Sequence, residues 1–196
     1  SKFQNLYILE FFMACILLSL EYLHNKNILH RDIKPENFLV HVENGKHSIK
    51  LIDFGFATDF KPDEKLEAKV GSINYVAPEM LIDDGFYDYK VDVWAAGICL
   101  YNMLAGKQPF ADPDIERLTD KIKNDPISFE HPAFMTVNHK IKQLILKILE
   151  KDPVQRLSAG EIKITPWISK FIGLDELPTQ VEEFDPKKCA KNIQTL

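Results

Sequence analysis

The stretch 92–106, DVWAAGICLYNMLAG, is apolar on nearly every side of a helix. A helix of that kind has no face to give to water, so it must run through the middle of a fold. The rest of the chain must then supply the elements that surround it. Gly106, just past the last apolar position, is a suitable stop. With 196 residues, 45% hydrophobic and 27% charged, the chain can build one such core.

The surrounding elements can be placed by period. Residues 6–25 read as a second buried helix, with Ile8, Phe11, Phe12, Cys15, Leu18 and Tyr22 at helical spacing. A helix is expected from the Asp112-Pro113-Asp114 cap to about residue 124. Another is expected over 138–150, where Ile141, Leu144, Ile145, Ile148 and Leu149 make one apolar stripe. A fourth opens at Ser158, with Glu161 completing a capping box. FLVHV (38–42) and SIKLI (48–52), joined through Asn44-Gly45, predict a two-stranded hairpin. Residues 53–79 have no period and form a long loop, the kind that is usually functional or disordered. The expected fold is mainly α with one small β-hairpin. Residues 1–172 form the folded unit and residues 173–196, which lose the apolar pattern, a C-terminal tail.

Charge and composition exclude some functions. The formal net charge of -5 argues against DNA or RNA as a partner. The excess acid lies in residues 53–90, with nine Asp or Glu against four Lys. Two readings of it stand: a solvated face, or attraction of a basic partner. The run 11–20 is too short to span a membrane and is flanked by Glu10 and Glu21. No signal-peptide pattern opens the chain. Cys15, Cys99 and Cys189 are odd in number and lack zinc spacing; Cys15 and Cys99 read as inert core thiols. A reducing compartment, hence a cytoplasmic location, and no membrane partner are the expectations.

The chemistry lies in two short segments. HRDIKPEN (30–37) puts an acid, a base and an amide, Asp32, Lys34 and Asn37, within six residues. It ends where the expected hairpin begins, and DFG (53–55) starts where the hairpin ends. The hairpin therefore brings Asp32, Asn37 and Asp53 to one edge. Asn37 and Asp53 suit a hard cation such as magnesium, and Lys34 offers a point charge for phosphate. DFG alone is a weak signal, as readily an ordinary turn after a strand as a functional one. HRDIKPEN at these offsets, with APE (77–79) downstream, leaves almost no room for chance.

These residues resemble the protein kinase family, whose motifs they match in order. The resemblance continues to about Gly173. DVWAAGICLYNMLAGKQPF (92–110) resembles the central kinase helix and the loop after it, DPVQRLSA (152–159) the segment with the structural arginine, and PWI (166–168) the closing motif. The Lys34-Pro35-Glu36 run resembles serine/threonine rather than tyrosine kinases. NFLV and DFGFA resemble calcium/calmodulin-dependent and calcium-dependent protein kinases in particular.

The resemblance implies ATP and Mg2+ as cofactors and a protein or peptide bearing Ser or Thr as substrate. It implies that Asp32 aligns the substrate hydroxyl and takes its proton late. A carboxylate with an ordinary pKa near 4 is otherwise a poor base. Lys34 would neutralise the transferred phosphoryl group, Asn37 and Asp53 would hold magnesium, and Leu39 would pack under the adenine. Gly71 and Ser72 would hold the acceptor end, Ser72 standing where the family usually has threonine. His30 and Phe54 would stack in a hydrophobic spine, and Asp92 would bond back to the catalytic loop. Glu79 and Arg156 would form the buried ion pair that fixes the activation segment.

Three departures from the family pattern stand out. No glycine-rich loop precedes His30, and the first glycine is Gly45. The chain thus resembles the large, C-terminal lobe of a two-lobed α+β parent, without the N-terminal lobe that clamps the nucleotide and would be its partner. Two readings compete: the catalytic lobe of an active kinase, or a lobe-only scaffold. Retention of Asp32, Lys34, Asn37 and Asp53 favours the first, since a scaffold needs none of them. Second, Arg31 invites a phosphorylated loop residue, yet 59–71 contains no Ser, Thr or Tyr. It carries Asp63, Glu64 and Glu67, either standing in for the phosphate or forming a plain acidic loop. Third, Glu36 sits where basophilic kinases contact an arginine of the substrate, but a second acidic position appears here as Asn102. A basic substrate preference is suggested and weakened. No calcium-binding loop occurs in the chain.

Overall fold

The computed structural model describes residues 2–43, 46–61, 66, 70–82 and 86–170. In chain order the elements are α1 (Lys2–Asn25), β1 (Ile28–Leu29), β2 (Phe38–Glu43), β3 (Lys46–Leu51), β4 (Thr58–Asp59), α2 (Lys90–Ala105), α3 (Ile115–Asn124), α4 (His139–Ile148), α5 (Ala159–Lys163) and α6 (Pro166–Ser169). Short 3-10 turns occur at Pro35–Asn37, Ile73–Tyr75, Pro78–Leu81 and Pro132–Thr136. The Asn44-Gly45 turn, the acidic residues Asp63, Glu64 and Glu67, Cys189 and the tail 173–196 lie outside the described residues.

Helix α2 is the axis. All of Val91 to Tyr101 is buried, as an all-apolar helix requires. It ends on Gly106, whose left-handed φ of 75° lets its N–H return to Asn102 O at 2.7 Å. Gly97 lets α4 approach α2: a Cβ there would sit 2.6 Å from Ile148 Cγ2. The α4 stripe of Ile141, Leu144, Ile145, Ile148 and Leu149 is buried on that contact. Trp94 stacks on Phe110 and takes the Arg156 guanidinium on its ring.

Helix α1 lies beside α2 and packs on α5 and α6. Its window Ile8–Asn25 is long and apolar enough to cross a bilayer by length and composition, yet 61% of it is buried within this fold. Glu10, buried in this helix, is compensated by Lys170 Nζ at 2.6 Å. Tyr22 departs from expectation: it is 66% exposed. Period gives the face of a helix, not how far its cover extends; in the last turn Leu23 and the His24 side chain turn inward instead. Cys15 is half-buried rather than fully so, and burial pushes its thiol up to about 12; burial also pushes the Cys99 thiol up. Both are held as thiols rather than reactive thiolates.

Strands β2 and β3 form the antiparallel hairpin, with Phe38 opposite Leu51 and Leu39 opposite Lys50. Phe38 points inward onto Phe12, the ring centroids 5.3 Å apart, while Leu39 on the next position faces out. A second, two-residue sheet was not legible in the sequence: β1 pairs with β4, Leu29 opposite Thr58. The Ser158–Glu161 capping box forms in full and opens α5.

Candidate active site

Strand β1 ends at Leu29 and leads into residues 30–37, which pack against the N-terminus of α2 through Asp92. Asp92, buried in the first turn of α2, grips the start of this loop. Its Oδ2 accepts from His30 N at 2.9 Å and its Oδ1 from Arg31 N at 2.8 Å. His24 Nε2 also donates to Asp92 Oδ2, at 3.1 Å. A buried carboxylate with three donors is stable where an unpaired one would not be. Arg31 adopts φ 64°, a strained conformation for a residue with a side chain, and these bonds hold it there.

Asp32 is the centre of the site and is buried. Its Oδ2 accepts from Lys34 Nζ at 2.6 Å and from Asn37 Nδ2 at 3.1 Å. Its Oδ1 accepts from both the backbone N–H and the hydroxyl of Ser72, at 3.1 and 3.0 Å. Lys34 Nζ also donates to Ser72 Oγ at 3.0 Å, closing the triangle. Burial by itself would push the Asp32 carboxyl up; the bonds from Lys34, Ser72 and Asn37 together outweigh it and hold the carboxyl below its ordinary range. Asp32 is therefore charged at neutral pH.

Ser72 reaches Asp32 because Gly71 precedes it. Gly71 has φ 99°, and a Cβ there would fall well inside contact distance of Arg31 O. Only glycine allows the two loops to approach so closely.

Asn37 also donates from Nδ2 to Asp32 O at 2.7 Å, so its amide nitrogen is turned to Asp32; its Oδ1 accepts no bond among the described residues. Ile52 N donates to Asn37 O at 2.9 Å, which places Asp53 beside Asn37. Asp53 is exposed, adopts φ 64°, and uses Oδ1 to accept from Gly55 N at 3.2 Å. Among the described residues no group of three or more His, Cys, Asp or Glu could hold a metal alone. Asn37 and Asp53, brought to one end of the hairpin by the bond from Ile52 N to Asn37 O, are oxygen donors of the kind that suits nucleotide-bound magnesium, which takes one or two protein oxygens and completes its shell with phosphate and water. Lys34 has a third N–H left for a phosphate oxygen.

The remaining site residues have clear positions. His30 Nδ1 accepts from Asp32 N and its Nε2 donates to Ile52 O, both at 3.3 Å, and its ring meets Phe54 edge-on at 5.0 Å. Leu39 is 50% exposed and Glu36 is exposed, so both are open to ligands. Glu79 and Arg156 form a buried two-pronged ion pair. Sequence reasoning missed His24 and Tyr87, whose hydroxyl accepts from Arg31 Nη1 at 3.1 Å. These contacts span 68 and 56 residues, and no local pattern marks either partner.

The comparisons with known proteins agree with this geometry. A family model described as the protein kinase domain matches residues 3–168. The chain belongs to the protein kinase family. It is 40% identical over 176 residues to a probable serine/threonine-protein kinase of Dictyostelium discoideum, covering 89% of this chain and 20% of that protein. It is 34% identical over 171 residues to calcium-dependent protein kinase 4 of Plasmodium falciparum, covering 87% of this chain and 32% of that one. With calcium-dependent protein kinase 3 of Plasmodium berghei it shares 37% over 174 residues, 88% of this chain and 31% of the relative. The chain thus spans between a fifth and a third of the length of these relatives.

Proposed function

We propose that this chain transfers the γ-phosphoryl group of ATP to serine or threonine hydroxyls of protein substrates. The observation that carries the reading is the closed cluster of Asp32, Lys34, Ser72 and Asn37. A scaffold would have no use for a buried carboxylate held charged by a lysine and a serine.

Bound ATP with Mg2+ supplies the transferable phosphoryl group and the cation that offsets its charge. The protein supplies position and field. Asp32, held charged, accepts a hydrogen bond from the incoming hydroxyl and orients it, and takes the proton late. Lys34 places positive charge beside the transferred group, and Asn37 and Asp53 offer the oxygens for magnesium. Leu39, on the outward face of β2, offers apolar surface to the adenine. Gly71 and Ser72 hold the acceptor end, and exposed Glu36 favours a basic residue in the substrate. A second lobe, in the same or another chain, would complete the nucleotide site and exclude water from it. Residues 1–172 would then be the catalytic lobe and 173–196 its tail, working in the cytoplasm.

The test joins the chain to a kinase small lobe and supplies Mg2+, ATP and a panel of serine and threonine peptides. Phosphotransfer that Asp32→Asn abolishes, with the fold retained, supports the reading. A well-folded, joined protein inactive on the whole panel supports the scaffold reading instead.

A further inference from the structure

Arg31 is tied at every part. Its N–H is held by Asp92 Oδ1, its carbonyl lies under Gly71, and its φ of 64° is strained. Its side chain makes two further bonds. Nε donates to Phe56 O at 2.6 Å, and Nη1 donates to the Tyr87 hydroxyl at 3.1 Å. Tyr87 is buried, and its backbone N–H bonds to Leu66 O at 3.3 Å, across the isolated bridge between the two residues. Phe56 lies in the turn of residues 54–57, closed by Ala57 N donating to Phe54 O at 3.0 Å, which directly follows Asp53 and is tied to it by the bond from Gly55 N to Asp53 Oδ1.

We propose that Tyr87 is a positioning residue: by fixing the Arg31 guanidinium it holds the Phe56 carbonyl, and so the turn that presents Asp53 to magnesium. The proposal rests on the kinase reading for its catalytic consequence. The physical case is that an arginine side chain loses much rotamer freedom when fixed, and one bond to a loop carbonyl does not fix it. A second acceptor, on a buried ring whose backbone is bridged to Leu66, does. The tie is built from neutral acceptors on Phe56 and Tyr87. It therefore works in a segment that, over 59–71, offers no hydroxyl for phosphorylation. The contact by which Tyr87 bears on the site is the one its hydroxyl makes with Arg31.

Tyr87→Phe removes the hydroxyl and keeps the ring and backbone bonds. Hydrogen exchange on the full chain should show the Ala57 and Phe60 amides opening about five-fold faster or more, the factor for one lost hydrogen bond, with α2 amides unchanged. Arg31→Met should do the same, and the double variant should be no faster than Arg31→Met alone, because both changes break one tie. In the chain joined to a small lobe, Tyr87→Phe should raise the magnesium concentration for half-maximal rate about three-fold or more while the peptide KM stays within about two-fold. Unchanged exchange, or additive effects in the double variant, overturns the tie. Faster exchange with an unchanged magnesium requirement overturns the positioning of Asp53. If the joined wild type transfers no phosphate while exchange still depends on Tyr87, the kinase reading fails and the tie stands.

Discussion

Glu79 and Arg156 meet head-on in the core, with Nη1 to Oε1 at 2.6 Å and Nη2 to Oε2 at 2.8 Å. They lie 77 residues apart in the chain and pin the segment before α2 to the loop after α4. Arg156 also donates to the carbonyls of Glu150 at 2.7 Å and Lys90 at 3.1 Å, so one side chain serves three segments. Removing the arginine leaves a buried carboxylate without its partner and takes a donor from the carbonyls of Glu150, Lys90 and Lys151. Arg156→Leu should cost about 3–5 kcal/mol, a large part of the roughly 5–15 kcal/mol a domain has. A denaturant melt checks this. A change below about 1 kcal/mol, the scale of an exposed pair, would contradict the buried geometry.

Asp32→Asn keeps the shape of the side chain and removes its charge. In the lobe-joined protein, turnover should fall about 10²–10⁴-fold while peptide KM changes little. The paired measurement is a stability profile against pH. The folded carboxyl is held below its ordinary value, so the unfolded chain takes up the proton first as pH falls. The stabilisation from Asp32 is then full above the unfolded pKa of about 3.9 and is lost as pH drops through the lower folded pKa. The stability gap between wild type and Asp32→Asn should shrink on acidification below about pH 4. A gap that widens there would show that burial, not the Lys34, Ser72 and Asn37 bonds, controls the group.

How much of this was written in the sequence depends on the range of each interaction. The α2 axis, the α4 stripe, the Gly106 stop and the Ser158–Glu161 box are local patterns, and each was legible. Asp32, Lys34 and Asn37 stand within six residues, and the hairpin carries Asp53 back to them. By contrast β1 and β4 are two residues each, too short to show any period. The strained φ of Arg31 has no mark in residue type, because only long-range bonds from Asp92 make it tolerable. His24 and Tyr87 look like ordinary helix and loop residues until the fold sets them against Asp92 and Arg31.

Gly71→Ala should separate loop approach from general stability. At φ 99° a methyl group is strained and would collide with Arg31 O. The change should cost about 1–3 kcal/mol, confined to the 70–72 segment. The larger effect should be on activity, since Ser72 must retreat from Asp32. A crystal structure or exchange at the Ser72 amide, which bonds Asp32 Oδ1, would read the retreat directly. Wild-type protection at Ser72 in the variant would refute this account.

Asp92→Asn tests the grip on the catalytic loop. Asp92 presents two oxygens to three donors: His30 N, Arg31 N and His24 Nε2. Asparagine can accept at one oxygen, but its amide nitrogen then faces a donor in a buried place where water cannot help. At least one N–H of the loop loses its acceptor, at a cost of about 1–3 kcal/mol. Because Arg31 is held at positive φ by that bond, the loop should relax and Asp32 should leave its partners. Expected together are a lower melt and a loss of turnover greater than any change in peptide KM. His24→Ala offers the comparison: it removes one donor and leaves both backbone bonds, so it should lower stability without moving the loop. Equal losses of turnover in Asp92→Asn and His24→Ala would mean that the backbone bonds do not set the loop, and that the His24 contact does.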